Sequence, residues 1–418
     1  MELKRIGLGL ALLAAVAGSA CTAPEGEAAG TTASRFPTGK GGDDRSGPYD
    51  VVAGWWKAAS DHDATWGWGS ASGVWPDTPD RILVVMWGDN RRQSDEGTTG
   101  GEQGRPNERD RNFFIVTDRN GNITENWSQW DSIFNRPHQV YVNPYDPQRS
   151  VWVDERGGAG VHEAIYKFSN DGKQKLLDLR DPRPVSGESD AQGRVPPARE
   201  NPNPGPLDFG QNAVLAFLPN GDFLIGDGYQ NGRVIRFNAA GEFVSEFGSV
   251  GSGPGQFDLI HGIAVDRNNR IYVSDRMNHR IQIFQEDGTL VDTWPNIWDP
   301  VAIMIDQNDQ VWVLDATLNR ILHYDIDGQL QDYFGTYGSV SSLGRPGFTC
   351  SDEEARAAAG VADFHEGACG GFALPHQISG DSEGNVYVAQ FGGPWIDKYV
   401  PRSDADPARL IGQPLLVR

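Results

Sequence analysis

His138, His261 and His376 each open an apolar, alternating strand within a repeated sequence unit, and the unit between any two of them lacks the histidine. The intervals of 123 and 115 residues are too long for a finger or a helical metal motif. Only a repeating architecture brings them together. Three imidazoles converging on one axis, with no carboxylate in the same layer, form the ligand set of a catalytic Zn²⁺ that keeps an open coordination position. Iron or cobalt would accept the same set. The bland alternative is that each histidine bonds a neighbouring backbone carbonyl at the mouth of a channel. A shared register on alternate units favours the metal.

The unit that carries these residues is clearest at 260–294, IHGIAVDRNNRIYVSDRMNHRIQIFQEDGTLVDTW. It reads as four strands and three turns: Ile263/Val265, Ile271/Val273 and Ile281/Ile283 alternate at period two, and Asn268-Asn269 and Asp287-Gly288 mark turns. Copies begin at Asn212 and Val301, looser ones at His138 and His376, and an early one runs from Ser72 and resumes at NFFIVTDRNGNITENW. Six units at roughly 40 residues predict an all-β, six-bladed β-propeller. Either Tyr49 to Trp56 or Leu410 to Val417 closes the ring. Aligning the units places Ser72, Asn212 and Val301 at the histidine register of the other three blades. Histidine then occupies blades two, four and six, which is a near three-fold triangle.

The segment after each blade's second strand returns to the histidine end. It carries Tyr229 in blade three (GDGYQNGR), Arg276 in blade four (SDRMNHR) and only Ala316 in blade five. A tyrosine beside a metal and an arginine would have its phenolate favoured by both charges and act as a base. Arg276 suits a bidentate carboxylate. The competing expectations are an aromatic cap for Tyr229, and a salt bridge to Asp275 or Asp227 for Arg276.

The rest of the chain sets the context. With 57 acidic against 36 basic residues and a net charge of −21, the composition excludes a nucleic-acid partner, which needs clustered Lys and Arg. Residues 1–21 have a Lys4/Arg5 start, an apolar stretch and a small-residue end before Cys21, as an export signal does. Gly18-Ser19-Ala20-Cys21 resembles a bacterial lipoprotein box, with Gly18 where an aliphatic residue is usual. Lipidation of Cys21 would anchor an envelope protein; cleavage after Ala20 would give a soluble periplasmic or secreted one. Residues 22–46 read as a flexible linker and 47–418 as the propeller. Cys350 and Cys369 bracket one insertion and form the expected disulfide, preferred to a metal site with His365. Insertions at Asp89 to Arg111, Asp181 to Phe209 and Gly338 to Ala373 are candidate walls over one mouth.

GSGPGQFDLIHGIAVDRNNRIYVSDRMNHRIQIF resembles the NHL repeat. Together with GDGYQNGRVIRF and the two PHQ segments, it is similar to the peptidyl-α-hydroxyglycine α-amidating lyases over about Ser72 to Tyr399. That resemblance implies a six-bladed propeller with Zn²⁺ on His138, His261 and His376, Tyr229 as catalytic base and Arg276 in the active site. The implied reaction releases a peptide amide and glyoxylate. Two departures stand out. The family's other arginine falls where this chain has Trp87, with Arg91 or Arg92 further along. Its calcium-binding aspartate falls at Gln377, so Ca²⁺ does not carry over. The expectation is an exported metal-dependent lyase acting on a small-molecule or peptide C-terminal substrate. The alternatives are a non-catalytic propeller binding a peptide, protein or glycan, and a metal-dependent hydrolase or lactonase.

Overall fold

The structure is a computed structural model, and it describes residues 46–52, 54–57, 68–89, 111–158, 160–183, 204–316, 320–335, 374–391 and 395–414. The chain divides into two compact units, 1–33 and 34–418. The first unit, with Cys21, lies outside the described residues, as do Arg91, Arg92, Cys350, His365, Cys369 and most of the three insertions.

The second unit is a six-bladed β-propeller of antiparallel four-stranded sheets. Blades I to V span 71–126, 137–180, 214–247, 260–295 and 300–335. Blade VI is built from 375–401 and completed at its outer edge by Tyr49–Val51, which pairs with Trp395–Pro401. The N-terminal segment therefore closes the ring. The C-terminal segment plays a different part. Ile411 N–H donates to the Tyr49 hydroxyl at 2.7 Å, and Gln307 N–H to the Gln413 carbonyl at 2.9 Å, which ties the tail across blades V and VI.

The period-two pattern has a specific meaning here. The innermost strands Pro137–Val142, Ile260–Val265, Pro300–Ile305 and Pro375–Gly380 are buried at every position, because each sheet is covered on both faces. Alternation decides which neighbour a side chain meets. Ile263, Val265, Ile271 and Val273 pack towards blade III, while Ala264, Tyr272, Ile281 and Ile283 pack towards blade V. Six apolar clusters result, one at each interface between adjacent blades, including VI against I. The outermost strands lose that cover: Phe243–Phe247 is exposed along most of its length. The turn signals act as expected, with Asn269 at φ 57° and Gly288 at φ 86°.

A second device fixes the ends of the blades. A buried carboxylate at the end of the second strand accepts a backbone N–H from the lead-in to the first strand and pairs with an arginine that opens the third. Asp227 takes Gly210 N–H and Arg233, Asp275 takes Asp258 N–H and Arg280, and Asp315 takes Asp299 N–H and Arg320. These pairs position the residues that follow the second strand.

Candidate active site at the channel mouth

His138, His261 and His376 come from blades II, IV and VI and meet on the channel axis. Their ring centroids are 4.5 to 4.9 Å apart, and one ligand nitrogen from each lies within 4.8 Å of the others. All three are buried. Each Nδ1 bonds the carbonyl at the equivalent place of the next blade: His138 to Ala213 at 2.5 Å, His261 to Val301 at 2.9 Å and His376 to Ser72 at 2.6 Å. Because a carbonyl only accepts, Nδ1 carries the proton, and Nε2 keeps its lone pair.

The carbonyl bond and the ligand role, alternatives at first sight, are therefore compatible. The bond on one nitrogen orients the other. Burial, with neighbouring charge, depresses all three histidines, His376 down to about 3, which keeps the neutral form that binds metals. Three buried, pre-oriented, neutral nitrogens fit a Zn²⁺-type ion.

The alignment needs one correction. Ala213, not Asn212, holds the histidine register in blade III, since it lies five residues before Leu218 as His261 does before Asp266, and its carbonyl receives His138. Asn212 instead donates back to the Ala164 carbonyl.

Above the histidines, one backbone hydrogen bond recurs in every blade. A residue at the mouth end of the second strand, just past it in five blades and within Val151–Gly158 in blade II, donates its N–H to the carbonyl two places before the histidine register. The pairs are Trp87 to Ser70, Arg156 to Arg136, Tyr229 to Gln211, Arg276 to Leu259, Ala316 to Asp299 and Phe391 to Leu374. Six equivalent positions thus carry Trp, Arg, Tyr, Arg, Ala and Phe around the mouth. Tyr229 reaches this place although one extra residue, Gly228, precedes it. Gly228 is pressed against blade IV: a Cβ there would stand 1.9 Å from the Ile260 carbonyl oxygen.

The Tyr229 hydroxyl lies 2.8 Å from His261 Nε2 and 3.3 Å from His138 Nε2, so it faces the same space as the ligand nitrogens. Arg276 does not pair with Asp275 or Asp227, whose oxygens are taken by Arg280 and Arg233. Its Nε and Nη2 instead meet the two oxygens of Asp299, from the lead-in of blade V.

Arg156 was not singled out by sequence, although WVDER aligns with YVSDR. Its guanidinium lies 3.8 Å over the Tyr229 ring and donates to Gln211 Oε1 at 2.5 Å. Opposite, Phe391 stacks on His376 at 5.0 Å and Trp87 meets Phe391 edge-on at 5.1 Å. Trp87 thus occupies the mouth position in blade I, as the alignment placed it.

Gln377 lies one layer below. Its Oε1 accepts from Val74 N–H at 3.0 Å and Val140 N–H at 3.3 Å, and its Nε2 donates to the Val140 carbonyl at 2.9 Å. The amide ties blades VI, I and II together. Gly73 leaves it room, since a Cβ there would stand 2.8 Å from Gln377 Oε1.

These features define an all-β, six-bladed propeller, and within it residues 257–284 match the NHL repeat. Its relatives carry two kinds of name. The chain is 28% identical to human NHL repeat-containing protein 3 over 170 residues, 40% of this chain and 44% of that one. It is 26% identical to peptidyl-alpha-hydroxyglycine alpha-amidating lyase 1 of Drosophila melanogaster over 343 residues, 78% of this chain and 55% of the relative. The chain therefore spans about half the length of these relatives. Among solved structures, virginiamycin B lyase from Staphylococcus aureus superposes with a TM-score of 0.48 at 12% identity, covering 84% of this chain and 98% of that one.

Proposed function

We propose that the channel mouth is the active centre of a metal-dependent carbon–nitrogen lyase that splits an α-hydroxyglycine-type substrate into an amide and glyoxylate. The observation that carries this reading is the Tyr229 hydroxyl within hydrogen-bond reach of two nitrogens of a three-histidine set. Whatever group occupies the space those nitrogens face is also within reach of the Tyr229 hydroxyl, which accepts a proton in its ionised form. The similarity to the Drosophila lyase over most of this chain points the same way.

His138, His261 and His376 would hold the ion, and bound there it supplies Lewis-acid polarisation of a substrate oxygen. Tyr229 takes the proton of the substrate hydroxyl. The C–O bond becomes the carbonyl of glyoxylate, the electron pair of the C–N bond goes to nitrogen, and nitrogen receives a proton to leave as the amide. Arg156 and Arg276 flank Tyr229 and set a positive field where the substrate carboxylate and the developing charge lie. Phe391 and Trp87 form an apolar wall for the acyl part. The reading also takes residues 1–21 as an export signal; mass spectrometry of the mature N-terminus and of any lipid on Cys21 tests that part.

Glyoxylate release from α-hydroxyhippurate by the zinc-loaded protein is the test. Release by wild type, with a large loss in Tyr229→Phe, supports the assignment. No release above the metal-free protein would remove the lyase reading and favour a binding propeller.

A further inference from the structure

Arg276 and Arg156 occupy equivalent positions two blades apart, and each reaches across to the lead-in residue of the following blade. For Arg276 that residue is Asp299, and for Arg156 it is Gln211. Asp299 and Gln211 are themselves equivalent, since they accept the recurring N–H bonds from Ala316 and Tyr229. The scaffold thus builds the same contact twice, once with a carboxylate and once with a neutral amide.

The consequence is electrostatic. The fork of Arg276 already holds an anion. Arg156 is 9% exposed, its Nε is buried without a hydrogen-bond partner, and among the described residues no carboxylate pairs with its guanidinium. A second cation, Arg136, enters the same blade just before His138. Its Nε donates to the Gly157 carbonyl at 2.9 Å, one residue after Arg156. A buried guanidinium without an ion pair gains from an anion that arrives to share the site.

We infer that Arg156, rather than the already paired Arg276, is the principal receptor for the substrate's carboxylate. Bound there, the carboxylate lies beside Tyr229, and the rest of the substrate extends towards the Phe391 and Trp87 side. Gln211 keeps the fork oriented without neutralising it. The inference rests on the lyase reading for the identity of the substrate, while its own claim is which side chain binds the anion.

The experiment measures binding of hippurate and of its methyl ester to the full-length zinc-loaded protein by calorimetry, in parallel with glyoxylate release. Wild type is expected to prefer the carboxylate by about 10- to 100-fold, the range for a lost charge-assisted bidentate contact. Arg156→Gln should bring that preference close to unity. Arg156→Lys should retain part of it, because charge remains but the planar fork is gone. Arg276→Gln should keep most of it.

Gln211→Glu guards against a misfolded Arg156 variant. It supplies the carboxylate that Asp299 gives Arg276, and should weaken hippurate binding while leaving the ester unchanged. The inference is overturned if wild type shows no preference, if Gln211→Glu leaves hippurate binding unaltered, or if Arg276→Gln abolishes the preference while Arg156→Gln retains it. Loss of preference in Arg156→Gln without glyoxylate release by wild type would keep the anion receptor and discard the lyase. Release with the preference intact in Arg156→Gln would do the opposite.

Discussion

The two halves of the channel mouth share one backbone and differ in chemistry. Across blades II to IV the positions at the mouth end of the second strand are Arg156, Tyr229 and Arg276; across blades V, VI and I they are Ala316, Phe391 and Trp87. All six are held by the same N–H bond to the lead-in carbonyl. The scaffold therefore fixes where a side chain stands, and the side chain alone decides whether the place is cationic or apolar. The three histidines show the converse. They are identical residues in equivalent places, yet His138 and His261 face Tyr229 whereas His376 lies under Phe391.

Substitutions on either side test this division. The largest effect belongs to the histidines, which both halves share: His261→Ala should abolish stoichiometric zinc by elemental analysis and glyoxylate release with it, since two imidazoles remain. Tyr229→Phe should lower kcat by about 10²- to 10⁴-fold, the range for a general base, with zinc retained. Equal rates in the two proteins would remove the cationic half from the chemistry. Phe391→Ala should raise KM for an aromatic acyl substrate by about 10-fold, from loss of roughly 1–3 kcal/mol of apolar contact, and leave the carboxylate-over-ester preference in place. A collapse of that preference would erase the distinction between the halves. Asp299→Asn frees the fork of Arg276 and should raise hippurate affinity by a few fold in calorimetry, making blade IV behave more like blade II.

The smallest expected effect is on stability. Burial lifts the Glu155 carboxyl from its usual 4.5 to about 7, against the backbone N–H groups of Arg136, Asn135 and Gly157. The folded state then holds a proton that the unfolded chain releases at lower pH. Its stabilising contribution is complete below about 4.5 and is lost as pH rises through about 7. Denaturant unfolding of wild type should therefore weaken relative to Glu155→Gln between pH 5 and 7. A difference independent of pH would show the carboxyl charged throughout, and would place a compensating anion beside Arg156.

Much of the fold was legible because its signals are local. The Asn268-Asn269 and Asp287-Gly288 turns, the period-two strands and the repeat length each depend on residues within one blade. The histidine register was legible for the same reason, and erred by one at Asn212 only because blade III has a longer lead-in and no histidine to mark it. Arg276 stands at the mouth as its place after the second strand implies, and the salt bridge set against its binding role forms with Asp299 rather than Asp275 or Asp227. Its neighbours in sequence, Asp275 and the equivalent Asp227, are consumed by arginines that open the third strand, and Asp299 arrives from the next blade. Arg156 carries no such local signal, because the second strand of blade II runs on through it to Gly158 and no turn marks the mouth position.

The sequence by itself determined the repeated sheet, the blades that carry histidine and the positions that face the mouth, since a four-stranded unit is specified by short-range alternation and turns. Tertiary structure decided the rest. Ring closure put Tyr49–Val51 against Trp395–Pro401, the next blade's carbonyls chose the free nitrogen of each histidine, and neighbouring lead-ins neutralised Arg276 but not Arg156. Charge balance in a buried site depends on which distant residue supplies the counterion, and that is settled only when one blade packs against the next.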